Sequence, residues 1–128
     1  MEQISTISIG RSRLALLLLA SSVFAVGTEG LVFAGLLPAL SSDLGVSLGA
    51  AGQVTTVFAL CYAVFAPLLS MSTESLPRRT TLLIGLGLFV AGNALSATAP
   101  AYWCLLIWRA VTAAGASLIT PTATLIAA

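Results

Sequence analysis

Residues 49–71 read GAAGQVTTVFALCYAVFAPLLSM. The run contains no charged side chain and is longer than the roughly 20 residues a helix needs to cross a bilayer core. On its N-terminal side lies a short polar connection, 41–48, with Asp43 and Gly45. Before that comes a longer apolar stretch, 14–40, interrupted only by Thr28, Glu29 and small or hydroxyl residues. On its C-terminal side, 72–79 holds Glu74, Pro77 and the pair Arg78-Arg79, too polar for lipid and marked as a turn by the proline. A Leu- and Gly-rich stretch, 80–98, is followed by a short loop at Pro100. A last apolar stretch then starts near Tyr102 and runs through Arg109. The pattern predicts an all-α, polytopic bundle of four transmembrane helices at about 14–40, 49–71, 80–98 and 102–126. Residues 1–13 form a cytoplasmic N-terminal segment.

Length alone would allow a soluble domain of 128 residues with one core. Composition excludes it. Hydrophobic residues make up 59% and charged residues 7%, whereas about a quarter of a typical soluble domain is charged. The charges are Glu2, Arg11, Arg13, Glu29, Asp43, Glu74, Arg78, Arg79 and Arg109, mostly between the apolar runs. A net charge of +1 supplies no basic field for nucleic acid. Cys61 and Cys104 sit singly inside apolar runs, without metal-ligand spacing, and are expected to act as small buried hydrophobes. No metal, cofactor or catalytic residue is expected.

Arg11 and Arg13 before an apolar run, with Val23-Phe24-Ala25 beyond, would also suit a secretory signal peptide. A signal's apolar region is short, however, and this one resumes as 31–40 with three more apolar segments after it. Basic residues flank the first helix at Arg11 and Arg13 and join the second to the third at Arg78 and Arg79, while the Asp43 and Pro100 loops have none. By the positive-inside rule the N-terminus and the Arg78 loop are cytoplasmic. Tyr102 and Trp103 stand where an interfacial aromatic belt would lie. No polar tail follows the fourth apolar run, and a truncated sequence is expected.

Glu29 is the first candidate for chemistry. A carboxylate in mid-membrane costs about 3 kcal/mol and tends to face a partner or a water-filled cavity; such a group is suited to loading and releasing a proton. The bland alternative is a carboxyl held neutral by neighbours such as Thr28. Arg109 lies about seven residues, or roughly 10 Å, into the fourth helix, and Glu29 lies about eleven residues, or roughly 17 Å, from the same side. The long arginine can therefore either snorkel to the interface or meet Glu29 between adjacent helices. Glu74, Arg78 and Arg79 form a cytoplasmic turn that reads either as a gating charge latch or as a plain topology signal. Gly85, Gly87, Gly92, Ala110, Ala114 and Gly115 let helices approach closely. Gly27, Gly30, Pro38, Gly115 and Pro121 are the candidates for packing and kinking. Gly85-Leu86-Gly87 is no dinucleotide fingerprint, because Val90 takes the third glycine's place and no strand precedes it.

These pieces together resemble the major facilitator superfamily, in particular its bacterial drug and sugar efflux branch related to arabinose-type exporters. Gly27-Thr28-Glu29-Gly30, then Gly35-Leu36-Leu37-Pro38 and Asp43-Leu44-Gly45-Val46, look like that branch's opening signature. Glu74, Arg78, Arg79 and Leu82 match the acid, basic pair and closing apolar residue of the superfamily's loop motif, with Ser70 and Pro77 where it has glycines. Arg109, followed by Gly115 and Ala116, is similar to the antiporter proton-coupling motif, although Thr112 and Ala113 replace its usual Gln and Gly. The resemblance implies a twelve-helix transporter in two six-helix halves built of inverted three-helix repeats, with the substrate cavity between the halves. This chain would supply part of the N-terminal half, and the missing C-terminal helices of the same transporter would be its partners. The implied function is proton-coupled efflux of a small molecule, a drug, sugar or nucleoside, across the bacterial inner membrane. Two rivals stand beside it: a complete four-helix small multidrug transporter acting as a dimer, and a non-transporting membrane scaffold subunit in which Glu29 and Arg109 are dispensable. A membrane enzyme is disfavoured, since no nucleophile and base pair, metal cluster or phosphate loop is present.

Overall fold

The computed structural model describes the backbone of residues 2–128 and the side chains from Ser12 onward. Four helices follow one another: α1 (Glu2–Leu44), α2 (Leu48–Ser72), α3 (Arg78–Ala97) and α4 (Tyr102–Ala127). All four contain stretches long and apolar enough to cross a membrane. The observed α1 is longer than the expected 14–40 at both ends. No proline precedes Pro38 to stop it, and the expected N-terminal segment is continuous with the helix rather than separate from it. The side chain of Arg11 lies outside the described residues. Pro38, Pro67 and Pro121 each sit inside a helix that continues through them. Each proline removes one backbone donor, which is tolerated in membrane helices because neighbouring groups re-satisfy the freed carbonyls.

The reversal from α1 to α2 is set by local chemistry. Gly45 adopts φ +63°, the left-handed conformation that glycine alone enters without a Cβ penalty. Its N–H donates to the Ser42 carbonyl and the Val46 N–H to the Ser41 carbonyl, the paired bonds of a Schellman cap. Ser47 then caps α2, its hydroxyl oxygen accepting from the Ala50 N–H at 3.1 Å. At the same end of the bundle the Tyr102 hydroxyl donates to the Ala50 carbonyl at 2.8 Å and lies 3.2 Å from Gln53 Oε1, tying the start of α4 to the start of α2.

The interior is built around α4, which packs most extensively on α3, next on α2, and more lightly on α1. The α3–α4 contact is made of glycine. A Cβ on Gly115 would stand 2.5 Å from the Phe89 nitrogen and 2.7 Å from the Gly85 oxygen, and one on Gly85 would stand 2.9 Å from the Leu118 Cβ; one on Gly92 would collide with Thr112. Small residues let the two backbones touch, the source of helix association where lipid is as apolar as leucine. By contrast a Cβ on Gly27, Gly30 or Gly87 would meet nothing within 4 Å. Cys61 and Cys104 are half-buried rather than buried, and both are free thiols.

The outward faces stay apolar. Leu17, Phe24, Leu31, Met71 and Trp103 are among the large exposed hydrophobic residues. The accessible surface is 7979 Å², against about 6,300 Å² for a soluble monomer of this mass.

Candidate functional site: a buried ion pair between α1, α2 and α4

Glu29 in the middle of α1 accepts a charge-assisted hydrogen bond through Oε1 from Nη1 of Arg109, on α4. Arg109 is 0% exposed and Glu29 8%. This is the single ion pair among the described residues. Of the two placements open to Arg109, the structure shows the inward one: the side chain meets Glu29 and does not snorkel.

Two aromatic rings enclose the guanidinium. Its carbon lies 3.9 Å from the centroid of Phe33 and 4.5 Å from that of Phe58. Phe33 follows Glu29 by one helical turn, so it shares Glu29's face of α1. Phe58 comes from α2 and stacks on Tyr62, one turn further along, with centroids 6.3 Å apart. The cation therefore has a carboxylate at its edge and aromatic faces around it, a favourable arrangement for a charge removed from water. Three helices converge on it. Glu29 Oε2, Arg109 Nε and Nη2, and Thr55 Oγ1 on α2 are buried without a hydrogen-bond partner among the described residues. A buried charge with unmet hydrogen-bonding capacity gains little fold stability, and such centres concentrate at functional sites.

The loop between α2 and α3 is the second candidate. Glu74, Arg78, Thr81, Ser117, Pro121 and Thr122 line a cavity of about 410 Å³ there, between that loop and the C-terminal half of α4. Glu74 is not paired with Arg78 or Arg79. Both arginines open α3, whose first turn has no acidic residue. Cations at a helix N-terminus oppose its dipole by about 0.3–1 kcal/mol each, so helix stability does not explain their position. No group of three or more His, Cys, Asp or Glu that could hold a metal occurs among the described residues.

The residues that sequence reasoning missed are Phe33, Phe58 and the Tyr102 link to α2. Phe33 carried a signal, its four-residue spacing from Glu29. Phe58 carried none, because it reaches the site only through the crossing of α2 with α4.

A sequence profile of the Major Facilitator Superfamily matches residues 17–128. The uncharacterized MFS-type transporter YbcL of Bacillus subtilis (strain 168) is 40% identical over 111 residues, covering 87% of this chain and 28% of that protein. A chloramphenicol resistance protein of Streptomyces lividans is 41% identical over 100 residues, 78% of this chain and 26% of that protein. The inner membrane transport protein YdhP of Escherichia coli (strain K12) is 37% identical over 97 residues, 76% and 25% respectively. No solved structure gives a significant match. The chain belongs to the Major Facilitator Superfamily and is a multi-pass membrane protein. It spans about a quarter of the length of these relatives, and the family together with the names of YbcL and YdhP points to a transporter rather than an enzyme.

Proposed function

We propose that this chain forms four helices within the N-terminal half of a proton-coupled efflux transporter for a small molecule in the bacterial inner membrane. Glu29 carries the proton and Arg109 is its counter-ion. The observation that carries the reading is the Glu29–Arg109 pair buried at membrane depth, joined to three helices and holding unused polar atoms. Protonation of Glu29 removes the charge that holds Arg109, so proton binding and helix packing are coupled through one contact. The efflux direction draws support from the relative named as a chloramphenicol resistance protein and from the opening signature of the drug and sugar efflux branch. Drugs, sugars and nucleosides all remain candidate substrates. The relatives' greater length supports a longer transporter over a self-sufficient four-helix dimer. In the proposed orientation Arg13, Arg78 and Arg79 face the cytoplasm, and the Glu74–Arg78 cavity is a cytoplasmic gate region. Gly27, Gly30, Pro38 and Pro121 are left as sites where further helices pack or the bundle bends.

The test is transport by the full-length protein in vesicles of controlled internal and external pH, with chloramphenicol, arabinose and uridine as probes. Glu29→Gln is expected to abolish the pH dependence of whichever probe is moved. A Glu29→Gln protein that transports with an unchanged pH profile removes Glu29 from the mechanism.

A further inference from the structure

We propose that Phe33 and Phe58 are positioning residues of the proton site: their rings hold the Arg109 guanidinium in register with Glu29 through both the charged and the protonated state of that carboxylate. The inference rests on the reading of Glu29 as the proton carrier and concerns how its affinity is set.

The geometry assigns the two kinds of contact to different parts of the cation. Glu29 takes one terminal nitrogen, Nη1. The rings take its central carbon, which lies over them at 3.9 Å and 4.5 Å from their centroids. Carboxylate and rings therefore do not compete, and the rings hold the guanidinium where its Nη1 meets Glu29. Arginine stays charged whatever its surroundings. When Glu29 binds a proton, the rings are the partners left to Arg109. Without them the guanidinium is free to leave for the interface when Glu29 is neutral, so the protonated state loses less by their removal than the charged state does. In the charged state a loosely held guanidinium also stabilises the carboxylate less. Both effects act in one direction, towards tighter proton binding by Glu29.

Among the described residues no other charged side chain is paired with Glu29 or Arg109, and Arg13 and Asp43 lie 16 and 14 residues from Glu29 along α1. Glu29 is the acid that α1 brings to Arg109. Helix α2 carries no charged residue, its titratable side chains being Cys61 and Tyr62. Helix α3 has only Arg78 and Arg79, at its first turn. Helix α4 has Arg109 alone, with the titratable Tyr102 and Cys104 near its start. Tyr62 stacks on Phe58. Both rings are half-buried, so each stands as a cover between the guanidinium and the outside of the bundle.

The experiment titrates the full-length protein in proteoliposomes by infrared difference spectroscopy, reading the protonated-carboxyl C=O band that Glu29→Gln deletes. Phe33→Leu and Phe58→Leu are expected to move the midpoint of that band to higher pH by roughly half a unit to one unit, a three- to tenfold change in proton affinity. Phe58→Tyr, which keeps the ring, restores the original midpoint. Replacing Phe58 with mono-, di- and trifluorophenylalanine keeps its shape while draining its π density, and is expected to move the midpoint stepwise in the same direction. If the Glu29 band titrates at one midpoint in wild type, both Leu variants and the fluorinated series, the rings do not position Arg109 and Glu29 keeps its role. If no titrating band depends on Glu29, the carrier reading itself fails, and this inference with it.

Discussion

Replacing Glu29 with Gln and Arg109 with Met, singly and together, is expected to show that the two residues act as one unit. Arg109 is fully buried with a single charged partner, and its Nε and Nη2 have none among the described residues. Removing one member of such a pair costs about 3–5 kcal/mol. In Glu29→Gln the rings of Phe33 and Phe58 still hold the cation, each by about 0.5–2 kcal/mol, so the loss is expected near the lower end, about 3 kcal/mol. In Arg109→Met the remaining carboxyl can shed its charge by binding a proton, and about 2–3 kcal/mol is expected to be lost. The double variant removes both charges and places an adaptable apolar side chain between two aromatic rings. Such replacements are often neutral or stabilising, so its loss is expected within about 1 kcal/mol of wild type. The coupling energy is then at least about 4 kcal/mol, well beyond the roughly 0.5 kcal/mol scatter of independent sites. Equilibrium unfolding of the full-length protein in bicelles, followed by circular dichroism, measures it. Losses that simply add would mean that the pair is not formed in the protein, and the argument from its burial would collapse.

Three further outcomes follow from the packing. Gly115→Ala is expected to force α3 and α4 apart, because its Cβ meets backbone atoms of Phe89 and Gly85 at 2.5–2.9 Å, and to destabilise the bundle by about 1–3 kcal/mol; Gly87→Ala, with open space around it, serves as the control, and equal melting temperatures for the two would refute the glycine seam. Gly45→Ala is expected to cost about 1–2 kcal/mol, since alanine resists the left-handed conformation of the α1 cap; the loss should be read from the same unfolding curves and should vanish for Gly35→Ala. Tyr102→Phe deletes the hydroxyl that bonds the Ala50 carbonyl, and is expected to lower stability by about 0.5–1.5 kcal/mol and to speed amide exchange at the first turn of α2, with unchanged exchange counting against the link.

The four helices were legible because partition into lipid is close to a sum over neighbouring residues, and 49–71 exceeds the required length without help from anything distant. The positions of the turns were legible for the same local reason: Gly45, Pro77 and Pro100 act on their own backbone. Glu29 and Arg109 stood out individually, since a charge at lipid depth is conspicuous in one dimension. Depth along two helix axes allowed them to meet but left snorkelling equally open. The choice depends on the rotation of α1 and α4 about their axes, which is set by contacts among all the helices.

The same distinction separates the glycines. Gly27, Gly87 and Gly115 look alike in a list, yet only Gly115 lies where another backbone arrives. Thus the sequence alone determined that this protein crosses the membrane, roughly where, and which charges it carries there at a cost. The tertiary structure decided that Arg109 turns inward to Glu29, that Phe33 and Phe58 close over it, and that α3 and α4 meet on glycine. Hydrophobic partition is additive and local, whereas an ion pair or a backbone contact exists only where helix crossing brings two faces to within a few ångströms.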